Sequence, residues 1–275
     1  MSRALALMLL LAAAGAHPDT GPEAGPESPA PPAGALYRAV TGADMPGYLL
    51  HLPDGYDTST ADYPLLFFLH GIVQKGNGSA ASLEKVADHG PFRTMRDGHW
   101  DRSLPLIVVG PQSAGVQPWW RGHEVRQVLD HVRSTYRVDT RRVYLTGISM
   151  GGRSVWWLAR NFAGEFAAVV PVSAWAGDLN GTCDVFRDMG IWAFHGERDP
   201  LIRLASGRRP VEALNACAPP LTPAPRLTVL ADAGHGQGSR GYGARGDDGR
   251  DPAPHGDTDG KAQSDIYRWM LGFSR

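Results

Sequence analysis

The sequence predicts an α/β domain with a mostly parallel central sheet and helices on both faces. Strand-like and helix-like segments alternate along most of its length. Two strand-like segments, 65–69 and 106–109, are apolar throughout, as strands covered on both faces must be. A third apolar run, 143–146, leads through a tight Gly-rich hexapeptide into the helix-like run 153–162.

Taken in order, 36–41 and 47–52 read as a short antiparallel pair, followed by turn chemistry at Pro53-Asp54-Gly55-Tyr56. The strands 65–69 and 106–109 come next. Residues 124–136 place Val125, Val128, Leu129 and Val132 at helical spacing. Strand 143–146 and helix 153–162 precede strands 168–172 and 191–194. Residues 210–216 read as a helix, 226–230 as the last strand, and 262–273 as a final amphipathic helix. Alternation of this kind requires right-handed crossovers. Residues 173–190 leave no room for an inserted cap domain, so a site at that sheet edge is expected to be open. Residues 236–261, dense in Gly, Arg and Asp, read as a long mobile loop. Within it, Asp257-Thr258-Asp259-Gly260 weakly resembles a calcium loop but lacks the full ligand series, so no metal is assigned.

The first residues read differently. A short basic start, an uncharged apolar run over 4–14 and the small-residue site Ala14-Gly15-Ala16 make residues 1–16 a secretory signal peptide. The run is too short to span a bilayer, and no cysteine follows it to carry a lipid anchor. Residues 17–35, rich in Pro, Gly, Ala and Glu, form a linker that cannot bury a core, leaving 36–275 as one catalytic-sized domain. The destination is secreted or periplasmic. There, Cys183 and Cys217 are expected to pair. With 27 basic and 28 acidic residues the net charge is −1, which gives no reason to expect nucleic acid or an anionic membrane as partner.

The hexapeptide is Gly147-Ile148-Ser149-Met150-Gly151-Gly152. Gly-x-Ser-x-Gly between strand and helix is the form of a nucleophile elbow, in which a strained turn lifts the serine hydroxyl above the sheet. A chain with 34 glycines produces such strings by chance, so the weight rests on partners. A serine hydroxyl needs a base, and the base an orienting carboxylate. Asp199 follows strand 191–194, with Asp178 and Glu197 as rivals. His235 follows the last strand and precedes the final helix, unlike His195 at a strand end or His255 in the long loop. The oxyanion donors expected are the N–H groups of Met150, at the head of the elbow helix, and Ile72, in the Gly-rich turn after strand 65–69. Trp119, Trp120 and Trp175 follow strands at the same sheet end and are candidates to line a substrate cleft.

These contexts, together with Leu69-His70-Gly71, Phe194-His195-Gly196-Glu197-Arg198-Asp199 and Asp232-Ala233-Gly234-His235, resemble the α/β-hydrolase superfamily. The closer likeness is to secreted esterases related to polyhydroxybutyrate depolymerases, feruloyl esterases and the phospholipase/carboxylesterase group. The resemblance covers 36–275. It implies Ser149, Asp199 and His235 as a triad, a small or polymeric ester as substrate, and no cofactor. It departs in one place. Such esterases often carry an aromatic residue shortly after the catalytic histidine, whereas Gly236-Gln237-Gly238-Ser239 follows here and Tyr242 is the nearest aromatic. Two other readings compete with an esterase: a serine peptidase of the prolyl-oligopeptidase type, which would usually bring a propeller domain, and a non-catalytic binding protein on the same fold.

Overall fold

The computed structural model describes residues 36–42, 45–115, 117–243 and 266–275. Eight strands form one sheet: β1 (Arg38–Val40), β2 (Tyr48–His51), β3 (Tyr63–Leu69), β4 (Ile107–Pro111), β5 (Val138–Ile148), β6 (Ala168–Val172), β7 (Gly190–Gly196) and β8 (Arg226–Leu230). Their spatial order is β1-β2-β4-β3-β5-β6-β7-β8. The first two run antiparallel to their neighbours, and from β4 to β8 every pairing is parallel. The apolar runs found in the sequence are the strands at the middle of this sheet.

Alternation within β3 sorts the core into two layers. Leu65, Phe67 and Leu69 face one side, where they meet Val125, Val128, Leu129 and Val132 of α3 (Gly122–Thr135) and Val155, Trp156 and Leu158 of α4 (Met150–Asn161). The same layer takes Val211 and Leu214 of α5 (Leu204–Asn215). Leu66 and Phe68 face the other, against Leu83 of α1 (Ala80–Leu83), Phe92 and Met95 of α2 (Gly90–Arg96), and Ile266 and Met270 of α6 (Ile266–Leu271). Among the described residues, no helix is long and apolar enough to cross a membrane.

Several boundaries differ from expectation for local reasons. The helix expected over 210–216 begins at Leu204 and contains Pro210, which is buried and leaves out one intrahelical hydrogen bond. The early part of the expected mobile loop is ordered: Gly236–Tyr242 is a 3₁₀ turn. It is held because Tyr242 is fully buried, packs edge-on to Phe68 at 6.0 Å, and shares a 2.8 Å hydrogen bond with Thr146 of β5. The aromatic nearest to His235 is therefore a core anchor and no pocket wall. His255 and the weak calcium-loop string lie outside the described residues, as do 1–35.

Cys183 and Cys217 are joined as a disulfide that ties the 3₁₀ turn before β7 to the residue just past the cap of α5. The segment it closes carries Asp199.

Candidate active site

β5 ends at Ile148 and α4 starts at Met150, leaving Ser149 alone in the turn. Its φ of 58° and ψ of −116° lie in a region that costs an L-residue about 1–3 kcal/mol. The flanking glycines make the turn possible. A Cβ on Gly147 would lie 2.7 Å from the Leu69 carbonyl oxygen, and one on Gly151 only 1.9 Å from it. Strand β3 and the helix start are thus in backbone contact, with the serine raised above them and partly exposed.

The structure brings the three expected residues together. The Ser149 hydroxyl lies 2.7 Å from His235 Nε2. His235 Nδ1 lies 2.8 Å from Asp199 Oδ2. A carboxylate only accepts, so Nδ1 carries the proton and donates it, and Nε2 is left to accept from the serine. Asp199 is buried. Its other oxygen accepts from the N–H groups of Leu201 and Ile202, both at 2.9 Å, which fixes the carboxylate's angle. The rivals lie elsewhere. Asp178 is exposed, and Glu197 is exposed with its carboxylate on the Asp232 N–H. His195 is buried and donates from Nε2 to the Ile202 carbonyl at 2.8 Å, supporting the turn that carries Asp199.

Gly71 sits against the serine: a Cβ there would be 3.7 Å from Ser149 Cβ. Ile72, the next residue, opens a 3₁₀ turn, and Met150 opens α4. An N–H at the head of a helix has no intrahelical acceptor, so neither amide is taken up within its own helix.

Three features escaped sequence reading. Ser173, just past β6, adopts φ 46° and donates from Oγ to the His235 carbonyl at 3.1 Å, holding the base from behind. Gln112, just past β4, accepts from Gly78 N–H and donates to the carbonyls of Gln74 and Ser82, pinning the 71–78 loop. Both follow strands at the same sheet edge as the expected site residues, which is the signal that could have found them. The third is the ring of His70. It donates from Nδ1 to the Gly71 carbonyl at 2.6 Å, accepts from Ser113 N–H at 3.0 Å, and lies tilted against Trp120 with ring centres 4.8 Å apart.

Burial holds the His70 pKa down at about 4, with Lys75 and His89 adding repulsion. The unfolded chain therefore takes up a proton near pH 6.5 that the folded chain refuses until about pH 4. Stability should fall as pH drops through that window, by about 3 kcal/mol from this residue, and level off below it. Urea unfolding at stepped pH should show this limb, and His70→Asn, which can still donate and accept, should flatten it.

The tryptophans divide. Trp119 and Trp175 are 45% and 39% exposed. Trp120 is 4% exposed and its indole N–H donates to the His70 carbonyl at 3.2 Å, although it shares with Trp119 the lining of one cavity. It braces the loop after β3 and contributes at most a floor.

The model of the Esterase family matches residues 39–198. The chain belongs to the Esterase family. The match stops one residue short of Asp199 and so includes neither Asp199 nor His235. Within the curated proteins, a bifunctional acetylxylan esterase/xylanase, XynS20E, of Neocallimastix patriciarum is 29% identical over 149 residues, covering 50% of this chain and 20% of that protein. Feruloyl esterase C of Emericella nidulans is 29% identical over 167 residues, covering 58% of this chain and 57% of that protein. The chain thus spans about a fifth to three fifths of these relatives' lengths. A solved thermostable esterase superposes with a TM-score of 0.59 at 24% identity, covering 87% of this chain and 64% of that one. The esterase fold is that of the α/β hydrolases, as the sequence resemblance implied.

Proposed function

We propose that this esterase-family chain hydrolyses carboxylic esters through Ser149, His235 and Asp199, by way of a covalent acyl-enzyme. The unbroken hydrogen-bond chain from Ser149 through His235 to Asp199 is the observation that carries this reading. Ser149 Oγ attacks the ester carbonyl while its proton passes to His235 Nε2. Asp199 steadies the imidazolium that forms. The alcohol leaves with the proton from His235, and water repeats the sequence on the acyl-enzyme. In this reading the N–H groups of Met150 and Ile72 are the donors to the oxygen on which charge develops.

One substitution tests the donor at Ile72. Ile72→Pro removes its N–H without opposing the backbone: it sits first in the 3₁₀ turn, where proline is accepted, and Gly71 at ψ 177° already has the extended form that precedes proline. We expect kcat to fall roughly 10²–10³-fold with thermal stability nearly unchanged. An unchanged kcat would remove Ile72 from the mechanism.

The names of the relatives support an ester of a sugar or an aromatic acid, and the absence of a cap between β6 and β7 supports a bulky one. The paired cysteines and the N-terminal apolar run support export to an oxidising compartment. A fluorophosphonate probe decides the central claim: folded protein that does not label at Ser149 is not a serine hydrolase.

A further inference from the structure

We propose that the substrate carries an anionic group, recognised by Arg153 between Trp119 and Trp175. This rests on the esterase reading above and narrows it to esters bearing a carboxylate away from the scissile carbonyl.

Arg153 lies one helical turn beyond the serine, with its N–H bonded to the Ser149 carbonyl at 2.9 Å. Helical side chains lean toward the N-terminus, which directs this guanidinium toward the end of α4 that begins at the Ser149 turn. It stands between two indoles brought by the loops after β4 and β6, with its central carbon 5.7 Å from the Trp119 ring and 5.5 Å from the Trp175 ring. Both indoles remain exposed.

The charge balance is informative. On α3, Arg126 and Arg133 both pair with the Glu165 carboxylate. Arg153 has no carboxylate partner among the described residues. On the Trp119 side opens a cavity of about 270 Å³ walled by Trp119, Trp157, Arg121 and Arg153, with no acidic residue in its lining. Two cations and three indoles, Trp120 being the third, with no anion in the lining, form a site of one sign. Aromatic flanks hold a guanidinium in a fixed plane and reduce its hydration, leaving its donor fork free for a carboxylate. A neutral ester would leave that fork unused.

A charge-assisted pair of this kind is worth roughly 10-fold to 100-fold in binding. The test compares monoethyl adipate with ethyl hexanoate, and monomethyl terephthalate with methyl benzoate, by pH-stat. The wild-type protein should favour the anionic member of each pair, less so as ionic strength rises. In Arg153→Gln the preference should drop by that factor through KM, with the neutral esters unchanged, and Arg153→Lys should restore part of it. Equal losses on both members, or a preference that survives Arg153→Gln, would overturn the proposal. Calorimetric titration of benzoate into Ser149→Ala, with and without Arg153→Gln, reads the same site without turnover. Binding that ignores Arg153 refutes the anion site even if every ester is cleaved. Binding that needs it in a protein that never labels with fluorophosphonate refutes the esterase reading and not the site.

Discussion

Replacing Ser149 by alanine should reduce ester turnover by roughly 10⁴–10⁶-fold and abolish fluorophosphonate labelling, while leaving the fold intact. The expected size follows from what the hydroxyl does. It is the atom that would become bonded to the acyl group, so its loss leaves water attack assisted only by oriented amides and binding. The fold should not notice. Alanine keeps the Cβ, so the backbone stays as strained at φ 58° as before, and the partly exposed hydroxyl has one partner, His235 Nε2. Thermal unfolding within about 2 °C of the wild type, together with the lost turnover, would separate chemistry from stability. A Ser149→Ala protein that keeps more than a tenth of its turnover would require another nucleophile.

The second large effect is structural. Gly151→Ala should destabilise the protein by about 3–5 kcal/mol, enough to lower Tm by about 10 °C. The added Cβ would fall 1.9 Å from the Leu69 oxygen and 2.6 Å from its carbonyl carbon. Both belong to the backbone of a central strand and have no rotamer by which to move aside. Either β3 or the head of α4 must shift, and each carries part of the site. Gly177→Ala is the matched control, because a Cβ there meets nothing within 4 Å. Circular dichroism melts of the two proteins should differ clearly. Equal melting temperatures would mean that the elbow is more pliable than its geometry implies.

What the sequence disclosed and what it withheld have a common cause. Segments buried on both faces write their state in composition, and 65–69, 168–172 and 191–194 were readable for that reason. Site residues at strand ends inherit that clarity, since locating the strand locates the loop after it. The elbow, Asp199 and His235 were singled out in this way, and the His235 side chain lies within hydrogen-bond reach of both Ser149 and Asp199. Segments whose order depends on distant partners were not readable. Helices α1 and α2 are short, and α2 opens on Gly90-Pro91, a pair that reads as a breaker. The 236–242 turn looks mobile by composition, yet it is fixed by contacts such as Gly241 against Phe194 and Tyr242 against Phe68. Trp120 and Trp119 are neighbours in sequence with opposite exposures, and no local pattern distinguishes them. Arg153 was read only as part of a helix, because its significance lies in what it fails to pair with.

The burial of Tyr242 has one more consequence. His235 hangs between two moorings: its own carbonyl is held by Ser173, and seven residues later Tyr242 is tied to Thr146, on the very strand that delivers Ser149. Base and nucleophile are therefore referenced to one strand end, and positional error does not accumulate along the chain between them. In the proposed reaction the same imidazole serves twice, once in forming and once in breaking the acyl bond. With no slack in its tether, it would meet both half-reactions from one place, and the entropy of aligning it would already have been spent when the chain folded.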